Sequence, residues 1–142
     1  MARPGKIRVA VNGYGVIGKR VAGAVALQKD MELAGVADIA ADWRMQVASS
    51  KGFPVFAAVL DAANAMKSNG IEVAGTLADL LADADVVVDC TPKKVAAGNV
   101  ETYRKASRKF ILHGGEKHEA TGHSFVAECS YDSALGRQAT RV

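Results

Sequence analysis

Apolar residues along this chain follow two alternating patterns. Compact apolar runs rich in β-branched residues predict buried strands, and apolar residues three or four positions apart predict amphipathic helices. The strand pattern covers residues 7–11, 32–38, 53–59, 71–74, 86–88 and 109–113. The helix pattern covers residues 19–28, 42–49, 61–69, 77–82 and 94–107, and the remainder up to residue 142 is predicted to be loop-rich. Strands that alternate with helices in this order predict an α/β fold with a doubly wound parallel sheet.

Three local signals refine this prediction. Asp42 begins one predicted helix and Thr76 immediately precedes another, and both are residue types that cap helix N-termini. The continuous β-branched run at 86–88 indicates a central parallel strand that is buried on both faces. Pro54 indicates that the strand at 53–59 lies at an edge of the sheet, because proline has no N–H to donate to a neighbouring strand.

A glycine-rich turn joins the first predicted strand to the first helix, and residues 12–18 read Asn-Gly-Tyr-Gly-Val-Ile-Gly. Gly13 permits a tight turn, Gly15 lets a pyrophosphate approach the backbone, and Gly18 lets the helix pack closely on the strand. The N–H groups and the dipole at the helix start favour phosphate. This context is typical of a Rossmann dinucleotide-binding site, and the alternative is a glycine-rich turn without a ligand. The cofactor contacts predicted in this turn are Gly13, Gly15, Val16, Ile17 and Gly18.

Asp38 ends the second predicted strand, 20 residues after Gly18. An acidic residue at this position typically hydrogen-bonds the adenosine ribose of NAD, and the alternative is a strand-end aspartate that caps the next turn. The charge of Asp38 would repel the 2′-phosphate of NADP, whereas Arg44 nearby would attract it. The residues therefore favour NAD as the cofactor and leave NADP open.

Thr91 and Pro92 follow the buried strand that contains residues 86–88. Ligands of open α/β sheets bind outside the carboxyl ends of the strands, so we expect both residues to contact the cofactor. The alternative is a Thr-Pro turn with no ligand.

The composition is typical of a globular domain, with 142 residues, 49% hydrophobic and 23% charged. The net charge is +3, and the basic pairs 104–105 and 108–109 are expected on the exposed face and end of a helix, so no nucleic-acid partner is predicted. No apolar stretch reaches about 18 residues, and residues 1–6 lack the apolar segment of a secretion signal, so no membrane partner is predicted. Two cysteines outside a C-x-x-C spacing fit a reducing cytoplasm.

Histidines and acidic residues crowd between positions 113 and 123, which suggests a metal site. They are His113, Glu116, His118, Glu119 and His123. Their order matches neither H-E-x-x-H nor H-x-x-E-H, and the adjoining glycines indicate a loop rather than a helix face. We therefore predict no metal site in this segment.

Four stretches together resemble the archaeal-type (type II) glyceraldehyde-3-phosphate dehydrogenases. They are residues 12–21, 70–76, 89–92 and 114–119, the last of which reads Gly-Gly-Glu-Lys-His-Glu. The resemblance extends over almost the whole chain. It implies a Rossmann domain of a cytoplasmic, homotetrameric enzyme that oxidises glyceraldehyde 3-phosphate with NAD(P) and phosphate in glycolysis or gluconeogenesis. It also implies that the loop with Gly114 and Gly115 borders the nicotinamide end of the cofactor.

In that family a cysteine in a Ser-Cys-Asn-Thr-Thr motif attacks the aldehyde, hydride moves to the nicotinamide, and phosphate releases the thioester. The resemblance implies that this motif would begin just after residue 142, and that the catalytic domain lies outside this chain. We therefore expect residues 1–142 to form the NAD(P)-binding domain, to contain no catalytic residue, and to be inactive alone. Cys90 ends a buried strand and Cys129 follows the negative Glu128, so both cysteines are expected to be structural.

Three other functions stay open. One is a different Rossmann dehydrogenase, such as a semialdehyde or homoserine dehydrogenase, although the stretch at 114–119 argues against it. The others are a free-standing NAD-binding regulatory module and a fragment that folds but holds cofactor weakly. The oligomeric state also stays open, because the assembly contacts of the resembled family lie largely outside this chain.

Overall fold

A computed structural model describes residues 5–142, and residues 1–4 of the N-terminal stretch considered above lie outside the described residues. Within this range, one parallel sheet contains seven strands. They are β1 (Ile7–Asn12), β2 (Met31–Asp38), β3 (Val55–Ala57), β4 (Gly75–Thr76), β5 (Val86–Asp89), β6 (Lys109–Leu112) and β7 (Ala139–Arg141). The order across the sheet is β4-β3-β2-β1-β5-β6-β7, and each neighbouring pair is parallel.

Helices connect the strands on both faces of the sheet. They are α1 (Val16–Ala26), α2 (Trp43–Ser50), α3 (Leu60–Ser68), α4 (Leu77–Asp83), α5 (Val95–Lys105) and α6 (Ala127–Ser130). Two 3₁₀ turns, His118–Ala120 and Tyr131–Ala134, lie in the C-terminal segment. Among residues 5–142 no helix combines the length and the apolar character that crossing a membrane requires.

Strand β1 shows how the core divides into two layers. Val9 and Val11 belong to the cluster packed with α1, α2 and α3, whereas Ala10 belongs to the cluster packed with α4 and α5. Successive side chains of a strand point to opposite faces, so each central strand serves both layers. The predicted doubly wound parallel sheet is therefore confirmed.

The direction of winding changes between β1 and β5. The chain runs outward from β1 through β2 and β3 to β4, and then returns to place β5 on the other side of β1. Asn12 at the end of β1 is level with Ala37 of β2 and with Asp89 of β5. Three carboxyl strand ends therefore meet at this switch point, which is where ligands of open α/β sheets bind.

Both predicted helix caps are confirmed. Asp42 accepts a hydrogen bond from the backbone N–H of Arg44 at 3.0 Å and caps α2. Thr76 and Asp79 form a reciprocal capping box at the start of α4, in which each side chain accepts from the other residue's backbone N–H. Local sequence signals therefore fix these two helix starts.

Two strand predictions are wrong. Residues 71–74 form no strand, and β4 follows at Gly75–Thr76, because the apolar Ile71 is buried beside α3 instead of pairing in the sheet. Strand β3 is also not an edge strand, since it lies between β2 and β4. Pro54 is tolerated because it precedes β3, and its carbonyl accepts from Val36 N at 2.9 Å while its missing N–H is not needed.

The C-terminal segment is more ordered than the predicted loop. Strand β7 pairs with β6, with Ile111 level with Thr140 and Leu112 level with Arg141. The three residues of β7 give no apolar alternation, because only Thr140 among them is buried. A strand this short at the sheet edge is recognised only from its pairing.

Candidate functional site

The turn between β1 and α1 is the centre of the candidate site. Gly13 has φ +92°, a left-handed conformation that favours glycine, and its N–H donates to Ala37 O at 2.7 Å. A Cβ on Gly13 would lie 2.8 Å from Thr91 N, and a Cβ on Gly18 would lie 1.8 Å from Gly13 O. Packing of the protein itself therefore requires glycine at both positions.

Gly15 differs from the other two glycines of the turn. The nearest atom to a Cβ placed there is Arg44 Nη1 at 3.9 Å, so the protein leaves room beside this residue. Open space at the middle glycine is what a closely approaching ligand group requires.

The first turn of α1 presents its N-terminus beside this space. Gly15 is the N-cap, and among the described residues no side chain caps the helix and no acidic residue lies in its first turn. Val16 and Ile17 are 63% and 40% exposed. The positive end of the helix dipole is therefore available to an anion.

Asp38 connects the end of β2 to the glycine turn. Its carboxylate accepts from the backbone N–H of Tyr14 at 2.6 Å and of Ala40 at 2.9 Å. The sequence predicts that Asp38 binds the adenosine ribose or caps the next turn, and the structure brings its carboxylate into direct contact with the backbone of the glycine turn.

The turn after β5 packs against two glycine segments. Gly13 touches it from one side, and a Cβ on Gly114 would lie 2.0 Å from Thr91 O on the other. Gly115 follows with φ +77°, and Pro92 is exposed at the start of the connection to α5. The predicted residues at 13–18, 38, 91–92 and 114–115 therefore converge on one edge of the sheet.

Sequence reasoning missed the residue that orients the Thr91 turn. The fully buried carboxylate of Asp89 accepts from Thr91 N at 2.8 Å and from Thr91 Oγ1 at 2.5 Å. Its other oxygen accepts from Tyr103 Oη at 2.5 Å and Asn99 Nδ2 at 2.9 Å. The position of an acidic residue at the end of an apolar strand could have indicated the role of Asp89, whereas nothing in the sequence indicated the role of Tyr103 on α5.

The stretch at 113–123 is engaged in structural contacts. Buried Glu116 accepts from the backbone N–H groups of Lys94 and Ala97 and so caps α5. His123 is buried, with Nδ1 2.7 Å from Thr140 Oγ1 and Nε2 3.0 Å from Ser133 Oγ. The contacts of Glu116 and His123 tie the C-terminal segment to α5 and β7.

The two cysteines differ in their surroundings. Cys90 is partly buried behind the glycine turn, and this burial, with the charge of Asp89 as a smaller cause, raises the pKa of its thiol to about 12. Cys129 is exposed on α6. The Cys90 thiol is thus held in its unreactive protonated form at neutral pH.

A doubly wound parallel sheet with a glycine turn at its switch point defines the Rossmann-like class of domains. Among solved structures, an NAD-binding protein from Listeria innocua matches 96% of this chain and 34% of its own, with TM-score 0.60 and 15% identity. GenD2 from gentamicin A biosynthesis, solved in complex with NAD, matches 80% of this chain and 28% of its own, with TM-score 0.56 and 22% identity. These likenesses show the fold.

The family described as dihydrodipicolinate reductase, N-terminus, has a sequence model that matches residues 7–119, and the chain belongs to this family. The chain is also similar to glyceraldehyde-3-phosphate dehydrogenase of Methanococcoides burtonii, at 53% identity over 96% of this chain and 41% of that protein. The enzyme of the same name from Methanothermobacter thermautotrophicus is 47% identical over 96% of this chain and 40% of its own length. The resemblance to the archaeal enzymes is thus confirmed, and the chain spans about two-fifths of the length of these curated relatives.

Proposed function

We propose that this chain is the NAD-binding part of a phosphorylating glyceraldehyde-3-phosphate dehydrogenase. The 53% identity to an archaeal enzyme of that name supports this assignment. The observation that carries it in the structure is the open space at Gly15, beside an uncapped helix N-terminus at the switch point.

The pyrophosphate of the cofactor is assigned to the glycine turn. The residues present fit this group, because a Cβ at Gly15 would fill space that no protein atom occupies. Beside Gly13 and Gly18, by contrast, atoms of the protein itself already fill the corresponding space. The N–H groups at the start of α1, including those of Val16 and Ile17, would bind the phosphate oxygens.

Asp38 is proposed to bind the adenosine ribose and to favour NAD over NADP. Its two oxygens each accept one backbone N–H, from Tyr14 and Ala40, which fixes the carboxylate in place. An ionised carboxylate has about four lone-pair sites, so two remain for ribose hydroxyls. A 2′-phosphate at the same place would be repelled by the charge.

The nicotinamide end is assigned to Thr91, Pro92, Gly114 and Gly115. The positions of these residues support the assignment, because the two segments meet at the carboxyl edge of the sheet where β5 and β6 end. A nicotinamide bound there would supply the acceptor for a hydride from the aldehyde substrate. The role of the chain's own residues is to hold and orient that ring, and we assign the nucleophile to a cysteine outside this chain.

The oxidation of glyceraldehyde 3-phosphate therefore requires a nucleophilic cysteine in addition to this domain. Cys90 is unsuited as a nucleophile, since its thiol pKa is raised to about 12. We expect the 142-residue chain alone to form no NADH from glyceraldehyde 3-phosphate, phosphate and NAD⁺. We also propose that the parent enzyme is cytoplasmic and homotetrameric, as the resembled family is.

Calorimetric titration of the chain with NAD⁺ and NADP⁺ tests the proposal. We expect saturable binding of NAD⁺, with a dissociation constant on the order of 100 µM or weaker because the second domain does not cover the cofactor. Asp38→Asn should weaken NAD⁺ binding, and Asp61→Asn on α3 is the matched control. Absence of NAD⁺ binding by the folded chain at several times that concentration would contradict the proposed function.

A further inference from the structure

The guanidinium of Arg141, at the carboxyl end of β7, carries a positive charge that no carboxylate among residues 5–142 neutralises. The ion pairs formed within this range involve Arg8 and Arg44, and none of them includes Arg141. Arg141 is also partly buried. A charge that is partly removed from water is costly unless an opposite charge accompanies it. The cation is therefore available to an anionic group that comes from outside the described residues.

Two neutral groups hold this guanidinium in one orientation. Arg141 Nε donates to Ser124 Oγ at 2.7 Å, and Arg141 Nη1 donates to the carbonyl of Glu116 at 2.8 Å. A guanidinium has five N–H donors in one plane, and the side chain of Arg141 forms no other hydrogen bond in the described part of the chain. Its Nη2 edge is thus fixed in place and free to bind a ligand.

His118 adds a second donor beside Arg141. Its Nδ1 lies 2.9 Å from Ser124 Oγ, the same oxygen that accepts from Arg141. Ser124 Oγ has no other acceptor within reach among residues 5–142, so its hydrogen is directed to Nδ1 of the neutral ring. The ring hydrogen then lies on Nε2, which has no partner in the same range and belongs to an exposed residue.

This cluster of Arg141, Ser124 and His118 lies beside the loop assigned to the nicotinamide end of the cofactor. Arg141 is level with Leu112, the last residue of β6. The loop with Gly114 and Gly115 follows β6, and the next residue supplies the carbonyl that accepts from Arg141. The free donors of the cluster are therefore at the carboxyl edge of the sheet, which is the edge where ligands of open α/β sheets bind.

We propose that Arg141 and His118 form a binding site for a phosphate group. A guanidinium matches phosphate oxygens through parallel N–H bonds, and the imidazole Nε2–H supplies a further donor. Glu119, the acidic residue next to His118, forms no ion pair with either cation among the described residues and so leaves both donors free. The choice of phosphate among anions rests on the proposed function, whose reaction uses both inorganic phosphate and a phosphate ester.

Four variants separate the contributions to this site. Arg141→Gln removes the cation, and Arg141→Lys keeps the charge but loses the planar fork. His118→Gln removes the imidazole from an exposed 3₁₀ turn. Arg137→Gln is the matched control, because Arg137 is an exposed arginine of the same segment whose Nε donates to Ser133 O. Thermal unfolding checks that each variant folds.

NMR titration of the ¹⁵N-labelled chain with inorganic phosphate, glycerol 3-phosphate and acetate, at constant ionic strength, tests the proposal. We expect saturable phosphate binding with a dissociation constant of about 1–10 mM, and the largest shifts at Nε–H of Arg141 and at the ring of His118. Arg141→Gln should weaken binding by about tenfold, the loss of a charged hydrogen bond, and Arg141→Lys by less. His118→Gln should weaken it by about two- to threefold, and Arg137→Gln by less than about twofold.

The two phosphate compounds distinguish the source of the ligand. Tighter binding of inorganic phosphate assigns the site to the phosphate that releases the thioester, and tighter binding of glycerol 3-phosphate assigns it to the phosphate group of the aldehyde substrate. Either result supports the site. Acetate binding as tight as phosphate binding would overturn it and would assign Arg141 to a carboxylate of a protein partner.

Three further results would overturn the inference. They are equal losses of phosphate affinity in Arg137→Gln and Arg141→Gln, no saturable binding by the folded chain up to about 50 mM phosphate, and unchanged affinity in both Arg141→Lys and His118→Gln. The last comparison holds even if Arg141→Gln does not fold. Saturable NAD⁺ binding in a chain that fails these tests would leave the proposed function intact, whereas phosphate binding without NAD⁺ binding would contradict the proposed function alone.

Discussion

The hydroxyl of Tyr103 on α5 donates a 2.5 Å hydrogen bond to the buried carboxylate of Asp89 at the end of β5. The same hydroxyl accepts from Asn12 Nδ2 at 2.8 Å, at the end of β1. One helix side chain therefore joins the two strand ends that flank the switch point. Because Asp89 also orients Thr91, the network ties the glycine turn to the turn after β5.

Tyr103→Phe tests the contribution of this network to stability. The substitution removes a donor from buried Asp89 and an acceptor from buried Asn12, so the free energy of unfolding should fall by about 1–3 kcal/mol. Urea unfolding measures this change. Tyr131→Phe, at an exposed tyrosine, should shift the value by less than about 0.5 kcal/mol. Equal effects of the two substitutions would mean that the network carries no net stabilisation.

Gly15 and Gly18 of the first turn should respond differently to alanine. Gly18→Ala forces a Cβ to 1.8 Å from Gly13 O, so the protein should lose several kcal/mol of stability, about 3 or more, or fail to fold. Gly15→Ala meets no atom closer than 3.9 Å and should fold with nearly normal stability while losing NAD⁺ affinity.

Gly23→Ala is the control for helix propensity, since nothing lies within 4 Å of its Cβ position in α1. It should stabilise the chain by about 0.5–1 kcal/mol and leave NAD⁺ binding unchanged. Thermal unfolding and calorimetry on the three variants separate folding from binding. Full NAD⁺ affinity in Gly15→Ala would refute the role given to that glycine.

The two cysteines should differ in reactivity. At pH 8 a soluble thiol reagent should modify Cys129, which is exposed, and leave Cys90 unmodified until the chain unfolds. Mass spectrometry of the labelled chain, with Cys129→Ser as the control, counts the modified thiols. Rapid labelling of Cys90 in the folded chain would contradict its assignment as a structural residue.

The raised pKa of the Cys90 thiol also predicts that the free energy of unfolding depends on pH above about pH 9. Its folded pKa of about 12 lies above the usual value of 9.0, so the folded state favours the protonated thiol. Its contribution to stability is therefore complete below pH 9 and is lost as the pH rises from 9 towards 12. Denaturant titrations across this range should show a shallower loss in Cys90→Ala than in the unmodified chain.

The lowered pKa of the His123 imidazole predicts that the stability of the folded state depends on pH in the acidic range. Burial lowers the pKa of its imidazole, and the positive charges of Arg137 and His118 act in the same direction. The folded state favours the neutral ring, so the stability it supports is complete above about pH 6.5 and declines as the pH falls through that value. Ser133 Oγ donates its hydrogen to Ser130 O, so Nε2 of His123 is the donor to Ser133 Oγ and Nδ1 accepts from Thr140 Oγ1. Protonation of Nδ1 would remove that acceptor.

Hydrogen exchange of β7 and α6 at pH 7.5 and pH 5.5 measures this effect. Exchange should accelerate at the lower pH, once corrected for the intrinsic rate, and His123→Phe should reduce the difference. His113→Gln is the control because His113 lies outside this network. Equal protection of these elements at both pH values would contradict the role of His123.

The sequence by itself determined the features that depend on residues close together in the chain. The glycine turn at 12–18, the central strand at 86–88 and the caps Asp42 and Thr76 all follow from local spacing and side-chain chemistry. The predicted burial of that strand on both faces is found on one face only, because Val87 is buried whereas Val86 and Val88 are partly exposed. Asp38 lies in contact with the glycine turn because the length of a strand–helix–strand unit returns the chain to the same sheet edge, whereas its predicted contact with a ribose stays a prediction.

Only the tertiary structure decided which distant segments touch. Tyr103 meets Asn12 across 91 positions of sequence, and β7 is a strand only because β6 lies beside it. The approach of Arg44 to Gly15 likewise depends on how α2 packs beside α1. Such contacts leave no periodic signal, since one hydrogen bond or one close approach constrains a single pair of residues and not a pattern along the chain.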